Sequence, residues 1–261
     1  MATLEKRTKW QIWFDVIYAL LVREIRIGFN DKFGISWAVL NPVIFILVLS
    51  FLRGRLDGGE THTIPTFVFM AYGLINIQIF LQTFSAGASA IQKHKALFAF
   101  RQVQPISAIL AACFFEILVK IFVIVGLMVA MYFLGIELHA ANPLKIMLYI
   151  FLIWVFAMSL GILFGLMIAF VPEVKKIQLL ITRPLFFISG VFFSLQDFPQ
   201  SYWHVLNWNP ILHAIELSRY SAYPAYGHSG VSESFLFIVV LTTTFIALSC
   251  YQIAWKQAIS R

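Results

Sequence analysis

From Ile106 to Leu134 the chain carries only two charged side chains, Glu116 and Lys120, and comparable apolar runs recur along its length. Such a run exceeds the ~20 residues an α-helix needs to cross a hydrocarbon core about 30 Å thick. In lipid every backbone N–H and C=O must find a partner within the protein, which leaves helices or a closed barrel. The runs are continuous rather than alternating, so they read as helices. Composition agrees: 61% of residues are apolar and 12% charged, about half the charged share of an ordinary soluble domain. A cytosolic enzyme, a secreted disulfide scaffold and a disordered chain are excluded, and no space is left for a soluble catalytic domain.

The expected fold is therefore an all-α integral membrane protein. Six transmembrane spans are predicted at about 36–52, 64–84, 106–134, 145–171, 177–195 and 235–255, separated by Gly, Pro and charged residues. Arg183-Pro184 interrupts the fifth. Cys113 and Cys250 fall inside apolar runs and act as small hydrophobes. No signal peptide is expected, since the first fifteen residues are polar and basic. The net charge of +7 reads as an orientation signal and not as a nucleic-acid footprint. Lys6, Arg7, Lys9, Arg23, Arg26, Lys32, Lys93, Lys95, Arg101, Lys175, Lys176, Arg183, Lys256 and Arg261 fall on one side, against Arg53, Arg55, Lys145 and Arg219 on the other. The richer side is cytoplasmic, and with an even number of spans both termini lie there.

Two segments are too polar or too short to cross. Residues 10–30 carry Trp10, Trp13, Phe14, Ile17, Leu20 and Leu21 at helical spacing, with Lys9, Asp15, Arg23 and Arg26 opposite. This predicts an amphipathic helix lying along the cytoplasmic interface. After the fifth span, Asp197-Phe198-Pro199 and Asn209-Pro210 each give a cap residue before a Pro, starting two short helices that hold Tyr202, Trp203 and Trp208. They are expected to dip into the bilayer from outside, where Trp and Tyr favour the interface.

No catalytic signature is found. The chain has no GxxxxGK[ST] loop, no HExxH and no GxSxG. Five of its six histidines (His62, His139, His204, His213, His228) fall in outward loops without metal-ligand spacing. Neither a catalytic residue nor a metal site is expected. Glu116 and Lys120 stand at i, i+4 in mid-membrane and are expected to pair, orienting a bundle helix. Ala157, Gly161, Gly165 and Ala169 place a small residue at every fourth position, which permits close helix packing on a partner not named by the sequence. The loop Gln92-Lys93-His94-Lys95-Ala96-Leu97-Phe98-Ala99-Phe100-Arg101 mixes cations with bulky apolar residues, as a helix seated in a partner's groove would.

Together these features resemble the membrane subunit of ABC-2 type polysaccharide exporters, the capsular polysaccharide permeases of the KpsM type. The resemblance is carried by Leu21-Val22-Arg23-Glu24-Ile25-Arg26-Ile27 running to Trp37 and Asn41-Pro42, by Leu97 to Arg101 and Pro105, and by Val171-Pro172-Glu173-Val174-Lys175-Lys176. Its fourth stretch runs from Ile188-Ser189-Gly190 through Tyr202-Trp203, Trp208-Asn209-Pro210 and His213 to Glu216-Leu217-Ser218-Arg219. The resemblance implies one ABC-2 type transmembrane domain over 1–261, working as a homodimer in the bacterial inner membrane above two ATP-binding subunits. ATP and Mg²⁺ would sit on those subunits, with no cofactor in this chain. It implies a coupling helix over 89–105, with Lys93, His94, Lys95, Leu97, Phe98 and Arg101 facing the ATPase. It makes 198–222 the outer gate helices, and lets Arg23, Arg26 and Lys32 meet an anionic lipid anchor. Phe186, Phe187, Phe192 and Phe193, with Tyr202, Trp203 and Trp208, would offer flat sugar contacts in the conduit. The implied cargo is a lipid-linked acidic polysaccharide, passed on to a periplasmic adaptor and an outer-membrane exporter. The rival classes are an ABC-2 exporter of another glycan, a lipid or a drug, and a proton-coupled transporter working through Glu116.

Overall fold

The computed structural model describes residues 8–29, 34–56, 58–100, 102–137 and 139–260. Lys32 and Arg101 lie outside the described residues. In chain order the helices are α1 (Lys9–Phe29), α2 (Gly34–Leu56), α3 (Thr66–Lys93), α4 (Pro105–Phe133), α5 (Pro143–Phe170), α6 (Val174–Ile188), α7 (Trp203–Leu206), α8 (Pro210–Ala222) and α9 (Glu233–Ser260). A two-stranded antiparallel hairpin, β1 (Glu60–Thr61) with β2 (Ile64–Pro65), precedes α3. His62 and Thr63 turn it with φ of 49° and 65°, the left-handed pair that a two-residue hairpin requires.

Among the described residues four helices are long and apolar enough to cross a membrane: α3, α4, α5 and α9. They correspond to the expected spans 64–84, 106–134, 145–171 and 235–255. The first expected span is α2, which contains Pro42 and ends on Arg53 and Arg55. The fifth is corrected: the helix expected over 177–195 stops at Ile188. Gly190 takes a φ of 75° and reverses the chain, although Val191, Phe192 and Phe193 keep the sequence apolar beyond it.

α3 is the central helix, packed on α5, α4, α2 and α8, while α5 is backed by α9. The α3–α5 contact explains the stripe of small residues. A Cβ on Gly161 would come 3.1 Å from the Gly87 Cα, and one on Gly165 would come 3.3 Å from the Gly87 carbonyl. The stripe therefore packs within the chain. Hydrogen bonds tie α5 to its other neighbours α4 and α9, as polar groups do where water is absent. Trp154 donates its ring N–H to the Cys113 carbonyl (3.0 Å), and the Ser159 and Thr244 hydroxyls lie 2.9 Å apart.

α1 forms the helix expected for this segment. Leu20 and Glu24 are buried and Val16 and Leu21 partly so, against α4, while Trp10, Phe14 and Tyr18 project outward. Two other expectations are revised. Residues 89–105 are not one helix: α3 runs on to Lys93, a 3₁₀ turn covers Lys95–Ala99, and α4 starts at Pro105. Over 198–222, the first short helix is a 3₁₀ turn (Gln200–Tyr202) leading into the single turn of α7, and only α8 is a sustained helix.

Candidate functional site

The candidate functional side chains lie in three places along the bundle: the loop after α3, the clefts beside α3, and a polar clasp around α8.

At the loop, the end of α3 is tied to α1. Lys93 Nζ donates to Glu24 Oε2 at 2.5 Å, and His94 Nε2 lies 3.0 Å from Glu24 Oε1. Burial alone pushes the Glu24 carboxyl up, but His94 and Lys93 outweigh it and hold its pKa at about 2. His94 and Phe98 are buried within the chain, so neither presents a side chain to a partner from this position, contrary to the sequence expectation. Phe98 follows His94 by four residues on the inner side of the turn, while Lys95, three residues before Phe98, is exposed. Leu97 is half-buried, and Lys93, Lys95 and Phe100 are among the exposed residues. Arg23 and Arg26 are exposed on α1.

In the bundle interior Glu116 and Lys120 act on each other electrostatically but without direct contact. Among the described residues no ion pair joins them; Lys120 is 1% exposed and donates to Gln78 Oε1 of α3 at 2.9 Å. Glu116 instead faces a cleft of about 500 Å³ bounded by α1, α2, α3 and α4, which Glu24, Asn41, Ser89 and Lys93 also line. Packing decides this, since α4 lies against α3 and so brings a neutral amide to Lys120.

The expected conduit aromatics separate into groups. Phe186, Phe187 and Phe192 form one cluster with ring centroids 5.3–6.0 Å apart. Phe193 turns away to meet Phe198 at 5.2 Å. Trp203 donates to the Phe198 carbonyl (2.9 Å) and packs against Gly230, where a Cβ would come 2.6 Å from its ring. Tyr202 and Trp208 are exposed.

Sequence reasoning missed the α8 clasp, having counted Arg219 as an outer-loop charge. Its side chain is wholly buried, 3.4 Å from the centre of the Phe69 ring. It donates to the carbonyls of Phe69, Gly190, Val191 and Phe193 and to Glu216 Oε1, at 2.8–3.3 Å. Glu216 also accepts from Ser194 Oγ and the Tyr226 hydroxyl. Gly73 has to be a glycine here, because a Cβ would come 2.8 Å from Arg219 Nη2. Asp197 accepts from the Ser194 N–H and reaches His62 Nε2 at 2.5 Å, fastening the hairpin to the same turn. The signal available in the sequence was the i, i+3 spacing of Glu216 and Arg219 in one short helix.

The chain was then compared with known proteins. Residues 15–223 match the family described as ABC-2 type transporter. The chain is 32% identical over 247 residues to the polysialic acid transport protein KpsM of Escherichia coli, covering 94% of this chain and 96% of that protein. It is 26% identical over 231 residues to the capsule polysaccharide export inner-membrane protein CtrC of Neisseria meningitidis serogroup B, with 84% of each covered. The similarly described BexB of Haemophilus influenzae is 24% identical over 229 residues, covering 86% of this chain and 84% of that protein.

Proposed function

The chain belongs to the ABC-2 type transporter family, and from that premise we propose that it is the inner-membrane permease subunit of a capsular polysaccharide exporter. The observation that carries this reading is the match to capsule-export relatives over nearly the whole chain. The geometry is compatible with it, since an exposed Lys95 and Phe100 stand on a loop tied directly to the central helix.

In this reading two copies form the conduit, each contributing six spans, with α2 and α6 as the first and fifth. Both termini and the α3–α4 loop are cytoplasmic, and two ABC-type ATPase subunits dock there. ATP and Mg²⁺ are bound by those subunits, and this chain does no chemistry. Closure of the ATPase pair pushes on Lys95 and Phe100. The Glu24 contacts to Lys93 and His94 carry that displacement to α1, where Arg23 and Arg26 meet the anionic anchor of the lipid-linked polysaccharide. The turn after α6 and helices α7 and α8 form the outer gate. A periplasmic adaptor and an outer-membrane exporter receive the polymer. Export of another lipid-linked glycan, a lipid or a drug would use the same machinery.

Deleting the gene in its host tests the reading. Surface capsule should vanish and polymer accumulate inside, with rescue by this chain in trans; undiminished capsule overturns it. Because Glu116 faces a cleft and not Lys120, a proton-coupled transporter is the second reading. It requires export that persists without the ATPase and follows the membrane potential.

A further inference from the structure

Along α3, Gln78, Gln82, Ser85, Ser89 and Lys93 recur at steps of three or four residues, which places them on one face of the helix. Gln82 and Ser85 line two clefts at once. One is the 500 Å³ cleft that Glu116 and Asn41 share; the other, about 480 Å³, lies between α3 and α6 and is walled by Gln178, Thr182, Arg183, Phe186 and Phe187. The two clefts are thus the flanks of a single polar strip. Ser85 is exposed and Gln82 half-buried.

Hydrocarbon is a poor neighbour for such a strip, because an amide or hydroxyl facing lipid has no hydrogen-bond partner, and a guanidinium fares worse. Arg183 makes the point most sharply. It lies in the second half of α6, faces the same cleft, is exposed, and has no carboxylate partner among the described residues. A charge so placed needs a wet cavity and an anion.

We propose that Gln82 and Ser85 of α3, with Thr182 and Arg183 of α6, form the surface along which an acidic polysaccharide moves, Arg183 engaging its carboxylates. This rests on the capsule-export reading. Amides and hydroxyls exchange water for sugar hydroxyls at little net gain, so they guide the polymer without holding it in register. The guanidinium matches a sugar carboxylate in a two-point contact. Because Arg183 is exposed, that contact is screened and weak enough to be released at each step, as conduction requires. Phe186 and Phe187 supply an apolar wall for the ring faces.

The test uses the complete exporter in its host. Arg183→Gln should lower surface polymer about two- to fivefold, the loss of one screened charge contact, while polymer accumulates inside and the ATPase subunit still co-purifies. Arg183→Lys should keep most export, and Gln82→Leu combined with Ser85→Leu should lower it as Arg183→Gln does. Wild-type export by Arg183→Gln and by the double variant overturns the strip. Should these variants fail to reach the membrane, Ser85→Cys and Thr182→Cys in a Cys250→Ser background decide it. Labelling of both by a charged, water-soluble maleimide supports the strip, and absence of labelling overturns it. Capsule that survives deletion of the whole gene overturns the export reading itself; capsule lost on deletion but intact in the strip variants overturns only the strip.

Discussion

Arg219 holds together a turn that would otherwise leave its carbonyls unpaired. Three of its acceptors, Gly190, Val191 and Phe193, belong to the segment in which α6 has ended and no new helix has begun. Taking a guanidinium out of water is costly, and the arrangement is favourable only because all the N–H groups and the Glu216 carboxylate are matched. Arg219→Met should therefore destabilise the protein by about 3–5 kcal/mol, the cost of stranding a buried carboxylate, read as a fall in thermal midpoint in detergent. Arg219→Lys should lose most of the same amount, since a point-like ammonium cannot span acceptors arranged for a planar fork. Little of this could be read in the sequence, because the Phe69 carbonyl lies 150 residues from Arg219. Phe98 was misread for a different reason. Its loop was rightly seen as too apolar for a solvated link, yet which of Leu97, Phe98 and Phe100 faces out depends on a 3₁₀ turn that no periodicity in five residues reveals.

Elements show the same division between what is legible and what is not. α3, α4, α5 and α9 could be read directly, because predominantly apolar runs of their length fit a membrane span. The end of α6 could not, because hydropathy continues through Phe192 and Phe193 past the turn at Gly190. The joint between α1 and α3 was hidden because Glu24 sits within a stretch of basic residues and reads as one more surface charge. Its pH behaviour can be worked out. The folded carboxyl titrates near 2 against an ordinary value of 4.5, so its contribution is present in full above about pH 4.5 and is lost as pH falls toward 2. Glu24→Gln should cost on the order of 1–3 kcal/mol at neutral pH. The stability gap between wild type and variant, followed by thermal unfolding, should stay constant down to about pH 4.5 and narrow below it. At the loop, Phe98→Asp should destabilise the fold itself, while Phe100→Asp should leave the thermal midpoint unchanged and lose the ATPase subunit in co-purification. Retained ATPase binding in Phe100→Asp would remove that face from the docking surface.

For the molecule as a whole, the structure leaves the argument from charge as it stands. The sequence placed Arg53, Arg55, Lys145 and Arg219 on the outer side. Arg219 is neutralised inside the fold by Glu216, and Lys145 Nζ lies 3.1 Å from Glu233 Oε1 across the mouth between α5 and α9. Lys145 and Arg219 thus each meet a carboxylate, which leaves unchanged the count of basic residues by which orientation is read. Length bears on topology too. α6 rises only about 22 Å, short of a core about 30 Å thick, so in the six-span arrangement the turn at Gly190 lies within the apolar slab. Irregular backbone at that depth is tolerated only where protein satisfies it, and Arg219 does so. In that arrangement α8 would lie outside and the tail inside as consequences of one packing. A reporter that folds only outside the cytoplasm should be active when fused after Gly230 and inactive when fused after Ser260, and one that fluoresces only in the cytoplasm should give the reverse pattern. Activity of the first reporter at Ser260 would place the tail outside and require an odd number of crossings, with α6 and the Arg219-stitched turn no longer completing a span.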